Sequence, residues 1–405
     1  MGAFVIEGAR VVFADRVERA SVRVEAGIIT GIDVARDGAA VIDGTGRVLA
    51  PAFVDVHGDA FERQIMPRPG VMVPIEAALL ETDRQLAANG VATAYHALTL
   101  SWEPGLRSVE TGWQVLRGLR HLAKRLTVEN RLQLRWETFC PEALEMAAVP
   151  AVAFNDHTSS AMLHPSIAVH DRPFDLVPDY PVTDTDSSAF REKMDARAKR
   201  SGMSGADYVA LMLSVWDQRG RVADDIAAVA FLARDRGAPM LSHDDSQVTT
   251  RTFYRAHGSR IAEFPMHERV FQAARDAGDW IVLGAPNAMR GGSHLGSPGA
   301  AEMIRRGLCD VLASDYFYPA MLGAVVRLLA DGVGDLAGLW RLVSGNPAAA
   351  MGLTDRGRIA PGLRADLLLL DWPEQGTPAP LRTWVAGRGG YSALPETAVR
   401  TEVVG

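Results

Sequence analysis

Three things are scarce in this sequence. Cysteine occurs twice in 405 residues, at Cys140 and Cys309, so no disulfide framework can hold the fold, and the pair fits a reducing, cytoplasmic compartment. Lysine occurs three times, at Lys124, Lys193 and Lys199, although Lys and Arg together number 42. No apolar run nears the roughly 20 residues that span a bilayer. Met1-Gly2-Ala3-Phe4 opens no basic-then-apolar leader, and the expectation is a soluble cytoplasmic protein without membrane association. Positive charge is also in deficit, with a formal net charge of -7, which argues against broad nucleic-acid binding. What remains is ordinary globular material, 48% hydrophobic and 22% charged, long enough for a large core and more than one structural unit.

Residues 4–50 read as short strands (Phe4–Phe13, Ser21–Val34, Ala40–Leu49) punctuated by Gly27, Gly31, Gly44 and Gly46. From Val54 the pattern changes to alternating strands and helices, the signature of a parallel sheet. Helical spacing over Ile75–Asn89, Val222–Arg236, Arg269–Ala277 and Ala300–Arg306 stops each time at a glycine: Gly90, Gly237, Gly278 and Gly307. Such glycines supply the left-handed residue that turns a helix end back toward a strand. Candidate strands are Phe53–His57, Thr93–Ala97, Leu132–Glu137, Val152–His157, Met240–His243, Ile261–Phe264, Ile281–Gly284 and Val311–Asp315. Eight strands with helices between them predict an α/β fold, a (β/α)8 TIM-like barrel. Strands return at Ala365–Asp371 and Arg382–Ala386. Residues 1–50 and 355–405 are therefore expected to form one small β-sandwich domain beside a barrel of residues 51–354, with the insertion 158–221 as a candidate cap.

Functional groups of such barrels gather where strands end at the C-terminal face. Those ends carry His57 and Asp59, then Glu137, His157, His243 and Asp315. His57 and Asp59, two apart at a strand end, can point to one spot. Three imidazoles and three carboxylates make a plausible site for two divalent metal ions, zinc first, with manganese or iron also suited to a mixed donor set. His57 and Asp59 would hold one ion, His157 and His243 the other, with Glu137 between them. Asp315 would bind a metal, take the proton of the attacking water, or both.

The strand-end ligands, the β units at both ends and the closing Gly357-Arg358-Ile359-Ala360-Pro361-Gly362-Leu363-Arg364-Ala365-Asp366 resemble the amidohydrolase superfamily. Many members bridge their metals with a carboxylated lysine. Here no lysine ends a barrel strand, and Glu137 is the natural substitute. Within the superfamily the resemblance is to the diphosphatases of the carbon–phosphorus lyase pathway. It is carried by His57-Gly58-Asp59 with Pro67-Arg68-Pro69-Gly70, Leu134-Arg135-Trp136-Glu137, Asp156-His157-Thr158, Ser242-His243-Asp244-Asp245, Glu263-Phe264-Pro265, Gly284-Ala285-Pro286-Asn287 and Ser314-Asp315-Tyr316. It implies release of pyrophosphate from a ribose 1-phosphonate 5-triphosphate-like substrate by metal-activated water. The chain departs from that family at Ser159-Ser160-Ala161, Ser246-Gln247-Val248-Thr249 and Met266-His267, all beside the metal-type residues.

A phosphorylated substrate needs cationic or N–H-rich loops. The candidate is Arg290-Gly291-Gly292-Ser293-His294 after the seventh strand, where barrel phosphate sites often lie, with Arg63 and Arg68 after the first strand within reach. Two other readings stand beside this one. The same metal site could cleave a cyclic amide, N-acyl or amidine bond, or the chain could be a non-catalytic binding relative. The expected partner is a small phosphorylated molecule, and a homo-oligomer is allowed.

Overall fold

The computed structural model describes residues 2–168, 182–293, 296–394 and 399–400. His170 and most of the Pro/Asp-rich start of the insertion lie outside the described residues.

Eight parallel strands form the central sheet in sequence order: Phe53–Gly58, Val91–Leu100, Glu129–Glu137, Ala151–Asn155, Met240–His243, Ile261–Glu263, Trp280–Gly284 and Val311–Ala313. We refer to them as the first to eighth barrel strands. The barrel expected from the pattern is present, with every strand at its expected place. Its first and eighth strands meet at a bridge between Gly58 and Asp315. There Asp315 N–H donates to the His57 carbonyl at 2.9 Å and Asp59 N–H to the Asp315 carbonyl at 3.0 Å. The four glycines after helices Ile75–Ala88, Val222–Asp235, Glu268–Asp276 and Ala300–Arg305 have φ between 63° and 82°, the left-handed turn that their positions predict.

Strand alternation sorts the side chains into two layers. Leu132, Leu134 and Trp136 of the third strand pack outward among Leu79, Val115 and Phe154. Ala151, Ala153, Leu241, Ile261, Val282, Val311 and Ala313 form a separate core with Val56 and Tyr95. The small alanines leave room inside a barrel whose mouth carries polar groups.

Two further sheets draw on both ends of the chain. One orders Val399–Arg400, Ala40–Asp43, Phe4–Glu7, Val22–Glu25 and Ile28–Ile32; the other orders Arg388–Ser392, Ala379–Val385, Leu367–Asp371, Val48–Pro51, Arg10–Val12 and Val17–Arg19. They enclose one core that includes Ile6, Val11, Val24, Leu49, Leu367, Leu369 and Trp384. The single strand expected over Phe4–Phe13 divides at Gly8, whose φ is 76°, and its halves enter different sheets. Val17–Arg19 was not foreseen, because three residues of mixed polarity show no period.

The insertion contributes helices Ser188–Ser201 and Gly205–Trp216, whose Phe190, Met194, Tyr208 and Met212 bury against Ala161 and Met162. Among the described residues no helix is long and apolar enough to cross a membrane. Cys140 and Cys309 are free and buried, and burial pushes both thiols up to about 12.

At the opposite end of the barrel, Glu129 collects Arg356 at 2.6 Å, Arg131 at 2.5 Å and Arg364. Arg356 also donates to Thr93 Oγ1 at 2.8 Å, tying residues near the C-terminal strands to two barrel strands. Despite the opposing effect of burial, these guanidinium groups hold Glu129 at about 2, below its ordinary 4.5. Replacing Glu129 by Gln is expected to lower stability at neutral pH by about 1–2 kcal/mol, a charged-hydrogen-bond effect discounted for partial exposure. A depressed carboxylate stabilises the fold above the unfolded value and loses that contribution as pH falls through the folded one. Chemical denaturation should therefore show the gap between wild type and variant closing from about pH 4.5 to about pH 2. A gap independent of pH over that window would exclude the ionic origin.

Candidate active site

A cavity of about 270 Å³ opens at the C-terminal end of the barrel, lined by His57, Asp59, Arg135, His243, Asp315 and Arg290, among others. Among the described residues two groups of metal-type donors lie there, with ligand atoms within 4.8 Å of one another: His57, His243 and Glu263, and His57, Asp59 and Asp315. His57 is common to both.

The strand ends bring these groups together. Asp59 lies one residue past the first strand, and the closing bonds at Asp315 hold both against His57. Asp55, fully buried on the same strand, accepts from Ser314 N–H at 3.0 Å and Ser314 Oγ at 2.5 Å, locking the first strand to the eighth. Asp244, Phe264 and Asp315 follow the fifth, sixth and eighth strands with φ of 60°, 53° and 55°. Non-glycine residues seldom take this left-handed conformation, which clusters at functional sites. Each N–H still bonds the neighbouring strand, to Glu263, Val282 and His57 carbonyls at 2.9, 3.0 and 2.9 Å.

The electrostatics are those of a crowded anionic centre. Glu263 Oε1 accepts from Gln133 Nε2 at 2.8 Å and lies 3.0 Å from His57 Nδ1. Burial disfavours charge on both partners, yet their mutual attraction prevails: His57 is raised and Glu263 lowered. Burial and then Arg135 lower His243 and, more strongly, His157. Burial, reinforced by Asp59, pushes Asp315 up to about 6. Nε2 of His57, Nε2 of His243 and Oε2 of Glu263 are buried without a hydrogen-bond partner, while Nδ1 of His243 lies 3.2 Å from Asp244 Oδ2. Unpaired lone pairs of this kind are costly in a dry site, and a divalent cation is the group they fit.

Four of the six expected metal-type residues, His57, Asp59, His243 and Asp315, converge. Glu137 and His157 belong to neither group. Glu137 Oε2 accepts from His157 N–H at 2.9 Å and Asn155 Nδ2 at 3.2 Å, and Oε1 from Thr158 N–H at 3.0 Å and Thr158 Oγ1 at 2.8 Å. Burial and Asp156 raise its pKa against those donors. His157 stands at the start of helix His157–Met162, capped by Asp156, rather than at a strand end. It faces Arg135 Nη2 at 3.4 Å and, with Glu137, lines a neighbouring cavity under the insertion helices that includes Arg107, Arg197 and Arg200.

The expected phosphate loop is divided. Arg290 ends a helix, Ala285–Arg290, instead of opening a loop, and lines the cavity with Ser293. Gly291 supplies the left-handed turn after it, with φ 82°, and Gly292 follows; neither lines the cavity. His294 lies outside the described residues. Asn287 fastens the segment by accepting from Ala300 N–H at 3.0 Å. Arg63 is turned to the Tyr316 carbonyl at 2.6 Å, and Arg68 is exposed on the turn closed by its bridge to Val71.

Glu263 and Arg135 were missed. Glu263 is the first polar residue after Ile261-Ala262, so the strand-end rule could have found it had the strand not been extended through Phe264. In Leu132-Gln133-Leu134-Arg135-Trp136-Glu137 the period of two places Gln133, Arg135 and Glu137 on one face, but nothing local says which of the three reaches the centre. Arg251 was also invisible. It is buried, pairs with Asp279 at 3.0 Å and donates to Ser242 Oγ at 2.5 Å, anchoring the residue before His243 through partners distant in sequence.

No protein-family profile matches the chain. The solved structure of an amidohydrolase superposes with a TM-score of 0.58 at 15% identity, covering 97% of this chain and 100% of that one. The alpha-D-ribose 1-methylphosphonate 5-triphosphate diphosphatase of Escherichia coli (strain K12) is 30% identical over 340 residues, 81% of this chain and 84% of its own. The chain belongs to the amidohydrolase superfamily. It is an enzyme, a hydrolase of that superfamily. An adenine deaminase of Methylobacterium sp. (strain 4-46) is 28% identical over 384 residues, 91% of this amidohydrolase chain and 54% of the deaminase.

Protons and cations compete for these donors. Zinc retained after dialysis at fixed free-metal concentration is expected to fall as pH drops through about 6, where Asp315 takes up its proton in the cation-free protein. Asp315→Asn should make that fall shallower, the remainder belonging to the histidine donors. Equal retention from about pH 7 to about pH 5 in the wild type would remove Asp315 from the donor set.

Proposed function

We propose that this amidohydrolase is a metal-dependent diphosphatase that releases pyrophosphate from a ribose 1-phosphonate 5-triphosphate-like substrate. The observation that carries the reading is one cavity that holds metal-type donors at its floor and Arg290 and Ser293 on its lining. The similarity to the Escherichia coli diphosphatase supports it. His57, Asp59, His243, Glu263 and Asp315 would hold the cation, zinc first, with manganese or iron compatible with the same donors. When bound, it would supply Lewis acidity, making water more acidic and drawing charge from a phosphoryl oxygen.

The chain's own groups carry the rest. Asp315, at about 6 before any cation binds, accepts the proton of the attacking water as its oxygen bonds to phosphorus and pyrophosphate departs. Arg290 presents a planar fork to phosphate oxygens, the geometry that favours bidentate contacts. The insertion helices, with Arg197 and Arg200 facing the adjacent cavity, act as the cap that limits water.

A second reading keeps the site and changes the bond to a cyclic amide, N-acyl or amidine. The adenine deaminase similarity favours it, as do the departures at Ser159-Ser160-Ala161 and Ser246-Gln247. Enzyme-coupled detection of pyrophosphate from a ribose 5-triphosphate is the discriminating measurement. Asp315→Asn should lower kcat by roughly 10²–10⁴-fold, and Arg290→Ala should raise KM by about 10-fold or more, as loss of a charged hydrogen bond implies. Absence of pyrophosphate together with hydrolysis of an amide or amidine would transfer the assignment to the second reading.

A further inference from the structure

We propose that this centre holds one divalent cation, and that the guanidinium of Arg135 occupies the place of a second. The inference rests on the metal-dependent reading above and concerns how its charge is arranged.

The two donor groups are not two independent sites, because both need His57. A neutral imidazole offers one lone pair, its other nitrogen carrying hydrogen. With Nδ1 of His57 set 3.0 Å from Glu263 Oε1, only Nε2 is left to ligate. One ion can then draw on either group or on members of both, but His57 cannot serve two.

A second ion would need His157 and Asp59, the two groups that the Arg135 guanidinium bridges, because Glu137 is already taken. Each Glu137 oxygen already accepts two hydrogen bonds from residues 155–158. His157 Nε2 faces a guanidinium nitrogen 3.4 Å away. That guanidinium is itself held, 3.8 Å from Asp59 Oδ2, on a side chain that is 9% exposed. Arg135 thus fills the space between Asp59 and His157 in which another ion would have to sit. One dication and one guanidinium bring three positive charges to the four carboxylates around the centre, Asp59, Asp244, Glu263 and Asp315. A second dication beside a permanently charged arginine would leave positive charge uncompensated in a buried site. The arrangement also places the arginine's donors on the cavity lining, where they would touch an oxygen of the bound phosphoryl group, as cationic clamps on transferring phosphoryl groups do.

The test is metal stoichiometry on the full chain, loaded with excess zinc, desalted and measured by plasma mass spectrometry. Wild type should carry about one equivalent and Arg135→Met about two, the two-ion arrangement known from other hydrolytic sites. His157→Ala should stay at about one, because that imidazole faces arginine rather than the ion. Thermal melts of the variants verify folding, and the wild-type and His157→Ala values stand even if Arg135→Met does not fold. Two equivalents in wild type, one in a folded Arg135→Met, or loss of the ion in His157→Ala would each overturn the proposal. No zinc at all in wild type would instead overturn the metal-dependent reading beneath it.

Discussion

Asp59, Glu263 and Asp315 bring three carboxylates to one end of a barrel, and burial makes that gathering unfavourable unless positive charge answers it. The answer available within the chain is partial. His57 is raised toward its charged form by Glu263, Arg135 approaches Asp59 and His157, and Asp315 is left with a pKa of about 6. Lone pairs on His57, His243 and Glu263 remain without hydrogen-bond partners. A divalent cation fits the electrostatic arrangement that the backbone builds.

The backbone builds it by closing the barrel at the place where the ligands lie. The seam between first and eighth strands has few bonds, and those few run through His57, Asp59 and Asp315 or through the Asp55–Ser314 pair. Closure of the sheet and convergence of the donors are therefore one event. The left-handed residues after the fifth, sixth and eighth strands serve the same end. They turn the chain sharply while their N–H groups stay in the sheet's hydrogen-bond system.

Much of this was legible in the sequence because it is local. Glycine-stopped helical periods placed the second, fifth, seventh and eighth barrel strands, short apolar runs placed the other four, and the strand-end rule picked out His57, Asp59, His243 and Asp315, which the fold brings together. What was not legible depends on pairs far apart in the chain. Nothing local shows that the N–H groups of His157 and Thr158 bond to Glu137, and Arg251 meets Asp279 and Ser242 only in the fold. Arg290 was expected in a loop, but Ala285-Pro286 starts a helix directly from the seventh strand, since proline is well tolerated in a first helical turn.

The six-stranded sheet joins Val48–Pro51 to Leu367–Asp371, so its two central strands are made at opposite times during synthesis. Until the last part of the chain leaves the ribosome, Val48–Pro51 lacks the partner that covers one of its edges. Such distant pairing carries a large loop-closure entropy and slows folding, and an uncovered apolar strand invites association with other chains. The barrel's neighbouring strands are also neighbours in sequence except at the seam, where the first strand meets the eighth at Gly58 and Asp315. That seam can nevertheless close once Asp315 is made, before residues 367–371 exist, so the active site can form while Val48–Pro51 still waits for its partner.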